Sequence, residues 1–140
     1  MVSSWAMVWR RRILVFLLVF QGVSGCLGGA RLIADPSGAS IDLPVEWLAG
    51  SAFSNYFVPG LVLLIVLGLA PWVAAYGVWR RRPWGWTSSF VVGAALIVWL
   101  ATQIRIIGYH PDPPLQLIYA LLACAITVLA ILSGRDRGVG

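Results

Sequence analysis

Four long apolar runs, punctuated by short arginine clusters, constrain this chain more than any other feature. They extend from Ile13 to about Gly29, from about Ser54 to Trp79, from about Trp86 to Ile107 and from Leu115 to Leu132. A bilayer core about 30 Å thick takes roughly 20 helical residues, with a range of about 17 to 25. Each run is therefore long enough to cross, and the second has length to spare for a tilt or bend. A water-soluble core is excluded by composition. With 60% hydrophobic residues, 11% charged residues and a mean hydropathy of +0.88, a soluble fold would expose far more contiguous apolar surface than monomers tolerate. The expectation is an all-α membrane protein, a four-transmembrane-helix antiparallel bundle forming one membrane domain over residues 1–140, with a loop over about 30–53.

Arginine placement sets the orientation. Arg10, Arg11 and Arg12 precede the first run, Arg80, Arg81 and Arg82 separate the second from the third, and Arg135 and Arg137 follow the fourth, so eight of the ten basic residues share one side. Under the positive-inside rule that side is the cytoplasm, with both termini there. Asp35, Asp42, Glu46 and Asp112 fall in the two opposite loops, and only an even number of crossings keeps every cluster together. The net charge of +5 and a pI near 10.0 therefore report topology, and no nucleic-acid partner is expected. Tryptophans and tyrosines gather at the run ends, where amphipathic rings anchor helices at the headgroups.

The 30–53 loop carries its own signals. Asp35-Pro36-Ser37-Gly38 fits a type I turn, with proline fixing φ at the second position. Its flanks, Arg31 to Ala34 and Ser40 to Leu43, are short and partly alternating, which suits a small β-hairpin. Pro44 then suits the first turn of a surface helix with Glu46 at its positive end. Pro71, inside the second run, removes a backbone donor and predicts a kink; a gating hinge and a static bend are both consistent with it. Small-residue steps at Gly25/Gly29, Ser89/Gly93 and Ala123/Thr127 suit close helix packing in lipid.

Polar residues within apolar runs are where function is sought first. They are Gln21, Thr102, Gln103, Arg105, Gln116, Tyr119 and Thr127, of which Gln103, Arg105, Gln116 and Tyr119 share a depth near the outer leaflet with Asn55 and Tyr56. These groups make either an outward-facing pocket for a polar or anionic ligand or a network that anchors helices and loop. No carboxylate lies in any run, His110 stands alone, and no serine or threonine has a histidine base nearby in sequence. Catalytic, cofactor and metal sites are therefore expected to be absent. Cys26 and Cys124 fall at different depths and are not expected to pair. Val23-Ser24-Gly25-Cys26 also fits, permissively, a bacterial lipoprotein processing signal.

The order Gly28-Gly29-Ala30-Arg31-Leu32-Ile33, Asp35-Pro36-Ser37-Gly38, Ser51-Ala52-Phe53 and Val58-Pro59-Gly60-Leu61 resembles small uncharacterised four-helix membrane proteins of bacteria. That resemblance implies a bacterial cytoplasmic membrane and carries no assigned activity. The functional expectation is a non-catalytic membrane protein acting alone or as an accessory subunit, with the bilayer, further copies or other membrane proteins as partners. The alternative is a small transporter or channel subunit whose polar pathway forms on oligomerisation.

Overall fold

A computed structural model describes residues 4–39, 45–49, 51, 53–108 and 115–139. The described residues contain no strand, and four helices are long and apolar enough to cross a membrane: α1 (Ser4–Ala34), α2 (Phe57–Trp79), α3 (Pro83–Ile107) and α4 (Leu115–Val139). At 1.5 Å per residue, α1 is about 46 Å long and outreaches a hydrocarbon core of about 30 Å.

Local chemistry explains the helix limits. The apolar run ends near Gly29, but α1 continues through Arg31, a good helix former whose charge suits the C-terminal dipole. It stops where the α region is disfavoured, at Asp35 before Pro36, and Asp35 N–H closes the last turn on Arg31 C=O at 2.9 Å. Arg31 to Ala34, expected as one arm of a hairpin, is therefore helix, and the other arm lies outside the described residues. Beyond it, Gly38 N–H donates to Asp35 C=O at 3.0 Å and the Asp35 carboxylate accepts the Ser37 hydroxyl at 2.6 Å. Pro36 C=O accepts the Tyr56 N–H at 2.8 Å, tying the turn to the start of α2. Val45–Leu48 forms one 3₁₀ turn where a surface helix was expected.

Asn55 Oδ1 accepts the Phe57 N–H at 2.9 Å, satisfying one of the first unpaired donors of α2. Within α2 the turn Ile65–Leu69 is wound as π-helix immediately before Pro71. Proline has no N–H for the carbonyl four residues earlier, that of Leu67, and a widened turn is one way a helix absorbs such a break. Gln21 of α1 supplies the donor instead: its Nε2 reaches Leu67 O at 3.0 Å.

α2 ends in a Schellman motif. Arg82 N–H donates to Gly77 C=O and Arg81 N–H to Val78 C=O, with Arg81 at φ 57° in the left-handed position that glycine usually fills. Pro83 then opens α3 at the first helical position, where its missing N–H costs nothing.

Each helix packs on its chain neighbour, and α1 also packs on α4. The shared core takes residues at one-turn spacing from each helix: Leu14 and Leu18, Ala74 and Val78, Leu96 and Leu100, Leu122 and Ile126. The closest approach is between α1 and α2. There a Cβ built on Gly25 would collide with the Leu67 carbonyl, and one on Gly29 would lie 2.6 Å from Leu64 N. Between α3 and α4, Gly93 faces Thr127, whose hydroxyl donates to Ala123 O at 2.8 Å. Most large apolar side chains remain outside, including Phe16, Val98 and Leu121.

Candidate functional site

At the end nearer the α1–α2 connection, residues of α2 and α3 line a cavity of about 540 Å³, a volume in the range of small-molecule sites. Leu32 closes it from α1, Leu48, Phe53 and Tyr56 from the connecting segment, and Leu63, Trp99 and Ile106 from the helices. Its walls are almost wholly apolar, with polar side-chain groups among the described lining residues on Tyr56, Trp99, Thr102 and Gln103. Val62, Val66 and Val98 border it and are themselves exposed, so it opens sideways between α2 and α3.

The connecting segment is held over this cavity by several small contacts. Leu32, Leu48 and Tyr56 form a separate cluster with Phe53, Leu63 and Ile106 against it. The Ser51 hydroxyl donates to Leu48 C=O at 2.7 Å and accepts the Phe53 N–H at 3.2 Å, which turns the chain so that both hydrophobic side chains point the same way. Burial pushes the Tyr56 phenol above its ordinary pKa, and the charge of Glu46 adds to the effect. The hydroxyl therefore stays protonated at the cavity wall.

The polar residues grouped by depth go to different places. Gln103 borders the cavity. Arg105, two residues and so about 200° further around α3, is exposed in the last turn. Gln116, buried in the first turn of α4, donates from Nε2 to Gly108 O at 3.1 Å and ties α4 to the end of α3. The Tyr119 ring lies 6.3 Å from that of Phe20 on α1. Pro71 is buried behind the π-helical turn, on the face where Gln21 reaches Leu67. Cys26 and Cys124 are both free thiols, and no three His, Cys, Asp or Glu side chains converge among the described residues.

Sequence reasoning missed two features. Depth alone could not show that Gln21 supplies the donor that Pro71 removes, although the pairing of one buried amide with one proline was a usable signal. The cavity was missed because its walls are ordinary Leu, Val and Phe, which look no different when they face lipid. No protein-family model, curated protein or solved structure matches the chain.

Proposed function

We propose that this chain is a non-catalytic, multi-pass protein of a bacterial cytoplasmic membrane, its four helices forming an antiparallel bundle with both termini in the cytoplasm. In this reading it acts alone or as an accessory subunit, and it holds the apolar chain of a lipid or lipid-like molecule between α2 and α3 at the outer leaflet. The observation that carries the reading is the sideways-opening, almost wholly apolar cavity of about 540 Å³ beside Leu48, Phe53 and Tyr56 of the α1–α2 connection. A lateral opening in that position admits a chain directly from the bilayer, and Gln103 and Thr102 stand where its polar end would reach the headgroup level.

The alternative, a pore lined by Gln103, Arg105 and Gln116 on oligomerisation, draws less support. Gln116 is engaged at the end of α3, and Gln103 and Arg105 point to different sides of their helix. The test is photolabelling in phosphatidylcholine vesicles doped with a diazirine-tailed phospholipid. Labelling concentrated on Val62, Val66 and Val98 relative to Phe16 and Leu121, which also face outward, supports the cavity. Uniform labelling of all five positions refutes it.

A further inference from the structure

The opposite end of the molecule holds a second, chemically different recess of about 390 Å³. Arg11 of α1 and Arg81 of the α2–α3 turn border it, together with Met7, Val8, Trp86 and Ser133. Arg11 is fixed from behind: its Nη1 donates to Trp79 O at 3.2 Å, an otherwise unpaired C-terminal carbonyl of α2, and its Cζ lies 5.8 Å from the Trp79 ring centre. A guanidinium has five N–H donors, so the others remain for a ligand.

Two of the lining residues also carry unsatisfied donors. Ser133, 6% exposed, and Trp86 each carry a buried polar hydrogen, on Oγ and Nε1, with no hydrogen-bond partner among the described residues. A buried donor left unpaired is costly, so such a pair on the wall of one recess points to an outside acceptor. Trp86 also lies in the first turn of α3, where the helix dipole favours negative charge. Arg10, Arg12, Arg80 and Arg82 flank the two arginines in sequence and add like charge at this end, while the described carboxylates, Asp35 and Glu46, belong to the connection between α1 and α2. Arg81 itself occupies a left-handed position that glycine would fill with less strain.

We propose that this recess binds one phosphate group, with Arg11 and Arg81 as its cationic partners and Ser133 and Trp86 as neutral donors. The apolar floor of Met7 and Val8 favours a phosphate that carries acyl chains, the headgroup of an anionic phospholipid on the arginine side. The site is independent of the cavity between α2 and α3.

The full chain, purified and delipidated in detergent, is titrated separately with phosphatidylglycerol, phosphatidylcholine and inorganic phosphate, and binding is followed by native mass spectrometry and tryptophan fluorescence. One phosphatidylglycerol is expected to be retained at least tenfold more tightly than phosphatidylcholine. Arg81→Gly and Arg11→Gln should each weaken it roughly tenfold, the factor expected for one charge-assisted hydrogen bond, whereas Arg105→Gln should not. Arg81→Gly relieves the left-handed strain, so its loss of lipid is separable from misfolding: its thermal stability in lipid-free detergent should be at least that of wild type. Inorganic phosphate bound in an Arg81-dependent way supports the recess and assigns it the free anion. Phosphatidylglycerol binding undiminished by either arginine variant overturns the proposal, as does no preference over phosphatidylcholine when inorganic phosphate also fails to bind.

Discussion

Gly25→Ala tests the contact on which the α1–α2 pair depends. The added Cβ would lie 2.7 Å from Gly68 N and closer still to the Leu67 carbonyl, where carbon contacts normally settle at about 3.5 to 4 Å. Both obstacles are backbone, so no rotamer change can relieve them and the helices must part by about 1 Å. A gap of that size forfeits roughly a quarter to a half of each contact worth about 0.1–0.2 kcal/mol. Over roughly thirty atom pairs along the seam this is about 1–2 kcal/mol, and stretching the Gln21–Leu67 hydrogen bond adds about 0.6 kcal/mol. Alanine's better helix propensity returns up to about 1 kcal/mol, so the expected net loss is about 1–2 kcal/mol, within the range for overpacked cores. Reversible unfolding in mixed micelles of dodecyl maltoside and SDS, followed by tryptophan fluorescence and far-ultraviolet circular dichroism, measures it. Gly134→Ala is the control: its Cβ would meet only Trp86 Cβ at 3.8 Å, and the better helix propensity of alanine makes it neutral or stabilising by up to about 1 kcal/mol. A Gly25→Ala protein within about 0.5 kcal/mol of wild type, or an equal loss at Gly134, would refute the reasoning.

Three further outcomes follow. Gln21→Leu should cost about 0.5–1.5 kcal/mol in the same unfolding measurement. It should cost measurably less in a Pro71→Ala background, where a backbone N–H is available to Leu67; equal costs would mean that the two residues are uncoupled. Gly108 ends α3 at φ 79° and ψ 172°, a region open essentially to glycine alone, and a Cβ there would meet nothing within 4 Å. Gly108→Ala should therefore destabilise by about 1–3 kcal/mol through backbone strain only, seen as a lower melting temperature in detergent. Finally, burial holds the native Tyr56 phenol above its ordinary pKa of 10.0, so the folded state keeps its proton to higher pH than the unfolded state does. Its contribution is fully present below pH 10.0 and is lost as pH rises through the native value. Stability between pH 9 and 11 should accordingly fall less steeply in Tyr56→Phe than in wild type.

The spanning elements were legible because run length and the spacing of apolar residues act along one dimension, and a bilayer imposes its thickness on that dimension. Direction around each helix was not. Gln103, Arg105, Gln116 and Tyr119 share a depth, yet a helix turns about 100° per residue, and small differences in position sent them to a cavity wall, an exposed face, the α3–α4 connection and the α1–α4 contact. Arg31 to Ala34 misled for a related reason: four residues of mixed polarity fit a strand and a helix end equally well, and the proline two residues beyond decided between them. The recess at the arginine end joins residues from α1, the α2–α3 turn, α3 and α4, so no local motif could have announced it.

The Gln21–Leu67 hydrogen bond also bears on how two greasy rods find their alignment. In hydrocarbon, sliding one helix along another changes little apolar contact with the surroundings, so the register must come from features that occur once. A proline exposes one carbonyl at one height on α2, and α1 offers an amide at the matching height beside a bare glycine backbone. A slip by a single turn, about 5.4 Å, would strand both partners at once. The irregularity that weakens α2 as an isolated rod thus marks the position at which its neighbour must stop.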